Sequence, residues 1–290
     1  MSQLIESDSV AAPVTETVDR PLLIKPSNGW VVIKLRDLWL YRDLLLSLAQ
    51  RDIKVRYKQT ALGIIWVVLQ PLLAAGIFAV VFGGIAGLKS DGVPYFVFCF
   101  AGQLAWNLFG STLTRVSSCL IGNAPMISKV FFPRLVLPLS TVGSVLVDFA
   151  VAAVMMAVLL AAHHIDPGWR LLLVPLWMAL LLMLSLGVGL WAAALTVSYR
   201  DVQYIMPVII QLVLYASPVA YAASAVPQRW KLLLYLNPLS GMLDGFRWSV
   251  LGSAAPSASA IAWSVTASVA LFIAGASTFK QMERRFADVI

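Results

Sequence analysis

Apolar and polar positions divide this chain sharply, with a polar and basic first fifth followed by long apolar stretches. A helix crossing a hydrocarbon core of about 30 Å needs about 20 apolar residues. Six stretches meet that requirement: 61–88, 93–113, 135–162, 171–197, 202–226 and 258–279. The first holds no charge, the third holds only Asp148, and the fifth carries Pro207 and Pro218. Between the fifth and sixth lies PQRWKLLLYLNPLSGMLDGFRWSVLGSAAPS, with two apolar pieces too short to cross. Asn237-Pro238 and Ser240-Gly241 are expected to break it. Such pieces predict re-entrant or interfacial helices, covered by protein or lining a cavity. The pattern predicts an all-α membrane protein with six transmembrane helices.

Ahead of the first span, no Gly or Pro falls between Trp30 and Thr60, so a helix is expected there. Arg51, Lys54 and Lys58 share one face at spacing i, i+3, i+7, with Leu46, Ala49, Ile53 and Tyr57 opposite. That is an amphipathic interface helix, with Trp39 and Tyr41 suited to the headgroup level. Leu44 and Leu48 interrupt its polar face, so part of that face is expected to touch protein. Three regions follow: a disordered cytoplasmic tail over 1–28, the interface helix over 29–60, and a six-span domain over 61–290. The first residues are acidic and polar and do not read as a signal peptide.

Composition agrees. Hydrophobic residues make up 60% of the chain and charged ones 12%, and the mean hydropathy is +0.85, far from a soluble domain. The net charge of +7 could suggest nucleic acid. With the N-terminus in the cytoplasm, however, sixteen of the 21 Lys and Arg fall on the cytoplasmic side. The positive-inside rule therefore accounts for the charge and places both termini in the cytoplasm. The collar Arg51, Lys54, Arg56 and Lys58 reads either as a topological anchor or as a seat for an anionic headgroup.

Catalytic signatures are missing. There is no P-loop, G-x-S-x-G, H-E-x-x-H or Cys-x-x-Cys pattern, so no enzyme activity or resident cofactor is expected. Cys99 and Cys119 fall about 30 Å apart along one predicted helix and cannot bridge within it. His163, His164 and Asp166 lack further partners for a metal. Asp148 is the one acid near the middle of a span, a candidate for proton coupling or for a polar partner inside the protein. Gln70, Gln103, Asn107 and Gln211 could line a path or bond neighbouring helices. Trp66, Phe78, Phe82, Trp106 and Phe109 could stack on sugar rings in a channel, or pack against lipid and protein.

Five ordered segments carry a family resemblance. They are RDIKVRYKQTALGIIWVVLQPLL from residue 51, KVFFPRLVLPLS at 129–140, YRD at 199–201, LNPLSGMLDGFRWSVL at 236–251 and MERRFADVI at 282–290. Together they resemble the membrane subunit of a type-2 ABC transporter, from the branch that exports O antigen and teichoic acid. The resemblance runs from about residue 40 to the end and leaves the N-terminal extension unexplained. It implies a homodimer in the bacterial inner membrane, paired with two copies of a separate ATPase that binds ATP and Mg. It also places the re-entrant helices on the extracytoplasmic side. The implied cargo is a polysaccharide on a polyprenyl pyrophosphate, with the diphosphate at Arg51, Lys54, Arg56 and Lys58. Phe131, Phe132, Pro133 and Arg134, with Arg200 and Asp201, would meet the ATPase. A drug or lipid permease of the same type, a proton-coupled carrier working through Asp148 and a membrane enzyme are the competing readings. Neighbouring glycan-synthesis genes would favour export over the first. Loss of transport on Asp148→Asn without need of an ATPase would favour the second.

Overall fold

A computed structural model describes residues 35–58, 64–283 and 286, and among these every regular element is helical. Helices α1 (Leu35–Leu40) and α2 (Arg42–Lys58) precede α3 (Ile64–Phe78), which continues as a π-helical stretch over Ala79–Ile85. Then come α4 (Tyr95–Gly122), the short α5 (Ala124–Ile127) and α6 (Val136–Ala162). A 3₁₀ segment over Gly168–Leu173 leads into α7 (Val174–Ser198), followed by α8 (Val202–Ala216). Two short helices, α9 (Gln228–Leu236) and α10 (Pro238–Leu251), precede α11 (Ala258–Met282). The expected tail over 1–28 and the start of the interface helix lie outside the described residues.

Five elements are long and apolar enough to cross a membrane: α3 with its π extension, α4, α6, α7 with its 3₁₀ lead, and α11. They fall where the first four and the last of the expected spans were placed. The stretch expected as a fifth span differs. Its helix, α8, has 15 residues and stops at Ser217, which is extended (φ −102°, ψ 148°) ahead of Pro218. A residue preceding proline is disfavoured in the α region, so the helix ends there. The second span, in turn, continues nine residues beyond the expected limit of 113 and carries Arg115 within it. The hydroxyls of Thr112, Thr114 and Ser118 donate to carbonyls four residues back, at 2.7, 2.8 and 3.0 Å, so these polar side chains are satisfied within the helix itself.

Helix α4 is the axis of the bundle, packing against α3, α6, α7, α8 and α10. One buried cluster surrounds it with Phe98, Phe100, Phe149, Trp177, Leu181 and Phe246 among its members. A second gathers Leu48, Leu120, Phe132, Leu137, Ala194 and Phe279 where α2 and the loop before α6 meet the bundle. Cys99 and Cys119 are both free and buried in α4. Small residues set the closest helix contact. A Cβ on Gly275 of α11 would fall onto the Gly187 carbonyl of α7, and one on Gly187 would meet the Phe272 backbone at 2.6 Å. Lipid tails are as apolar as leucine, so tight backbone approach of this kind drives association inside a bilayer.

The buried stripe of α2 agrees with the expected face at Ala49 and departs from it at Leu46. Leu48 and Ala49 are buried, with Tyr41, Leu44 and Leu45 packed beside them, whereas Leu46 is exposed. The leucines that interrupt the polar face are therefore those that touch protein. Their partner is α6, where a Cβ on Gly143 would stand 3.0 Å from the Ala49 methyl. Toward the other end of the bundle, Asn237 does mark a break, its side chain accepting from the Leu239 N–H at 3.1 Å to cap α10. Ser240-Gly241 does not. Both lie buried inside α10, and Gly241 has no side chain because Ala260 and Ser264 of α11 occupy that space.

Arg247 of α10 is 1% exposed. Its guanidinium lies 4.2 Å from the centre of the Phe98 ring, pairs with Asp244 at 3.4 Å and donates to the carbonyls of Pro218 and Tyr221. Those carbonyls belong to the non-helical chain after α8, and one buried cation thus satisfies backbone that helix would otherwise satisfy. The glycine contact predicts that Gly275→Val destabilises the protein by about 1–3 kcal/mol or more, because neither backbone can retreat. Thermal unfolding in detergent checks this, and a melting temperature equal to wild type would refute it.

Candidate functional site

The last two turns of α2 run alongside α6, so that Ala49 meets Gly143 and, further on, Tyr57 meets Asp148. This places the end of the basic helix beside the one acid held within a span. Asp148 is largely enclosed, its side chain 13% exposed, and it collects three partners. The Tyr57 hydroxyl donates to Oδ1 at 2.5 Å. Arg56 of α2 and Arg115 of α4 both reach Oδ2, at 3.0 and 3.1 Å. The other terminal nitrogen of Arg115 donates to the Ser144 hydroxyl one turn away on α6, at 2.6 Å. Three helices thus meet on one carboxylate. Burial, then the hydrogen bond to Asp148 and its charge, push the Tyr57 phenol up from its ordinary value, so it is a donor at neutral pH.

Two cavities adjoin this cluster, both lined by Arg56, Asn107 and Ser111. The smaller, about 80 Å³, lies between α3, α4 and α6 and is also lined by Gln70, Asp148 and Phe149. The larger, about 280 Å³, is also lined by Trp106, Thr114 and Arg115. Asn107, Ser111, Thr114 and Arg115 follow the spacing i, i+4, i+7, i+8 and form one polar face on α4. The side chains of Gln70, Asn107 and Ser111 make no hydrogen bond to any described residue. Polar groups at membrane depth ordinarily find a partner, so these three point to water or a ligand in the cleft.

The remaining sequence candidates are distributed around the bundle. Arg51 pairs with Asp52 at 2.9 Å and donates to Asn123 at 2.9 Å, while Lys54 and Lys58 are exposed. Of the proposed aromatics, Trp66 is exposed and Phe78 and Phe82 touch edge to face at 5.9 Å. Trp106 lines the larger cavity, and Phe109, its ring tilted against Trp106 with centres 5.5 Å apart, belongs to the main core. In the loop between α5 and α6, Val130 and Phe131 project outward, with Phe131 67% exposed, whereas Phe132 is buried and Pro133 half-buried. Arg134 is buried, its backbone N–H donates to Glu283 at 3.2 Å, and its Nη1 has no partner among the described residues. Arg200 and Asp201 are exposed at the turn between α7 and α8. No group of three metal-ligating side chains occurs among the described residues, and His163 and His164 stand in a loop.

Sequence reasoning treated Arg115 and Tyr57 as an ordinary charge and an apolar-face residue. The signal that could have found them is Asp148 itself. A lone carboxylate in a span requires a cation from a neighbouring helix, and Arg115 and Arg56 are cations flanking the same end.

The phenol–carboxylate bond predicts that Tyr57→Phe lowers stability by about 1.5–3 kcal/mol, the range for hydrogen bonds to charged groups. In an Asp148→Asn background the same change should cost less than half as much. A double-mutant cycle read by thermal unfolding checks this, and equal losses in both backgrounds would dissolve the contact.

Comparison with known proteins places these features in context. The family model for ABC-2 type transporters matches residues 43–251. The chain is 30% identical over 257 residues to an O-antigen export system permease protein of Myxococcus xanthus, covering 88% of this chain and 98% of that one. It is 28% identical over 253 residues to a Klebsiella pneumoniae protein of the same description, covering 86% of this chain and 95% of that one. A polysialic acid transport protein of Escherichia coli is 26% identical over 212 residues, 71% of this chain and 80% of that one.

Proposed function

The chain belongs to the ABC-2 type transporter family, and from that premise we propose that it is the permease of an exporter moving a polyprenyl-pyrophosphate-linked polysaccharide, O antigen first among candidates, out of the cytoplasm. The observation that carries this reading is the 30% identity to an O-antigen export permease, which extends over 98% of that relative rather than over one shared motif. It is consistent with a chain that has no P-loop of its own and so depends on a separate ATPase.

In this reading the protein sits in the bacterial inner membrane with both termini in the cytoplasm. Helix α8 with the extended chain after it forms a fifth of six crossings, held from the outer side by the re-entrant pair α9 and α10. Two copies enclose the channel. The exposed stripe Tyr204, Val208, Leu212 and Tyr215 on α8, together with exposed Ile65, Leu73 and Ile77 on α3, supplies apolar surface for that pairing. Two ATPase subunits dock at the cytoplasmic end, where Phe131 projects and Arg200 and Asp201 are exposed. Nucleotide-driven closure would be transmitted through the loop before α6 into the bundle. The basic residues of α2 meet the diphosphate of the lipid carrier, and the polar face of α4 offers hydrogen bonds to the first sugars.

Asp148 is held by two arginines and a phenol, and no other acid lies in the five spans. This arrangement favours a structural or substrate-linked role over a chain of proton carriers. Deleting the gene is expected to abolish surface glycan while lipid-linked polysaccharide accumulates inside. Unchanged surface glycan, in a strain without a second exporter, would refute the assignment. Changing Arg51, Lys54 and Lys58 together to Gln is expected to cut export at least tenfold with normal amounts of protein in the membrane. Export at wild-type rate would leave those cations as topological anchors.

A further inference from the structure

We propose that Arg56 and Arg115 form a seat for a phosphate or diphosphate group, and that Asp148 is the resident counter-ion which an incoming anion displaces. The inference rests on the export reading above and adds to it a particular pair of cations. That pair differs from Lys54 and Lys58 of the basic helix in being bound to a carboxylate within a span.

Two guanidinium groups converge on a single carboxylate oxygen, at 3.0 and 3.1 Å. The cluster therefore carries one more positive charge than negative and sits where only part of it meets solvent. Guanidinium binds phosphate oxygens in pairs of parallel hydrogen bonds, and a diphosphate presents more oxygens than one carboxylate can. The cavity of about 280 Å³ lined by both arginines has room for such a group. Its wall supplies the neutral donors that phosphate recognition also uses, Asn107 and Ser111, neither of which has a partner within the described chain. Asp148 does not line this larger cavity but stands behind the arginines, facing the smaller one. An anion can thus approach the two cations through a cavity that the carboxylate does not line.

The exchange has a mechanical result. Asp148 joins α2, α4 and α6 through Arg56, Arg115 and Tyr57. When an anion draws Arg56 and Arg115 toward the cavity, the ionic part of the tie between α2 and α6 is lost, leaving the Tyr57 hydroxyl and the apolar packing of Leu48 and Ala49. Binding of the anion and loosening of the end of the basic helix become one event, and each then favours the other by linkage.

The test measures binding of radiolabelled pyrophosphate to the purified transporter with its ATPase in nanodiscs, with the nucleotide sites filled by a non-hydrolysable ATP analogue. Geranylgeranyl diphosphate and geranylgeraniol serve as competitors. Pyrophosphate is expected to bind, geranylgeranyl diphosphate to displace it, and geranylgeraniol to have no effect. Tighter binding of the lipid diphosphate assigns the seat to a lipid headgroup, and equal affinities assign it to free diphosphate; either supports the seat. Arg115→Gln is expected to weaken binding at least tenfold. Asp148→Asn, which removes the competing charge, is expected to tighten it about tenfold. Unchanged affinity in Arg115→Gln, or weaker affinity in an assembled Asp148→Asn, overturns the proposal. Should Asp148→Asn fail to assemble, Arg115→Gln decides alone. A wild-type complex that binds no diphosphate overturns the seat and leaves the export reading standing, since loss of surface glycan on deletion decides that separately.

Discussion

Everything at the basic end of the bundle depends on how one carboxylate is accommodated. A charge in the middle third of a membrane helix cannot rely on water and must be met by protein. Asp148 is met three times, from α2 by Arg56 and Tyr57 and from α4 by Arg115, with Ser144 fixing the second guanidinium. This requirement draws the end of the basic helix down along α6 instead of leaving it on the surface. It also explains why α4 tolerates an arginine within its length. Gln70, Asn107 and Ser111, whose side chains have no hydrogen-bond partner among the described residues, gather beside this cluster, whereas the buried and equally unpartnered Oε1 of Gln103 stands apart from both cavities.

The opposite end of the bundle meets a comparable requirement differently. Helix α8 stops at Ser217, and the chain after it runs without regular hydrogen bonds. A Cβ on Gly102 of α4 would lie 2.5 Å from the Val219 carbonyl, so that chain is pressed against the central helix. The buried guanidinium of Arg247 takes the carbonyls of Pro218 and Tyr221, and Asn237 donates to the Ser217 hydroxyl at 2.8 Å. Short helices and an interrupted one form a single closed cap because their polar groups answer one another.

Much of the fold was legible because apolar length is a one-dimensional property. Five of the expected crossings correspond to helices within a few residues at most ends, and the family relationship suggested by the ordered motifs agrees with the match over 43–251. What could not be read depends on which residues meet across helices. The wheel of α2 set Leu46 opposite the cations, where it is exposed, and marked Leu44 and Leu48 as touching protein without showing which helix they touch. The partner is α6, and Leu48 faces it. By sequence Arg247 is one of the five cations outside the cytoplasmic sixteen, and nothing in the sequence shows that Phe98, Pro218 and Tyr221 surround it. The helix limit at Ser217 was written in the following proline, yet the apolar run through Val226 outweighed it. In the cleft, Asn107 had been noticed as a polar group in a span, whereas Ser111 gains meaning only from its register with Asn107 and Arg115.

The contact between Gly187 and Gly275 divides the molecule into parts of unequal stiffness. With no side chain between them, α7 and α11 behave as one double-walled beam, and a beam of that kind resists bending and sliding alike. The helices α3 and α8 have no such glycine contact among the described residues and show much of their apolar surface. A force applied at the loop before α6 would meet a stiff pair on one flank and more exposed helices on the other. Any rearrangement of the bundle would fall first on the exposed flank, with the beam as the frame against which it is measured.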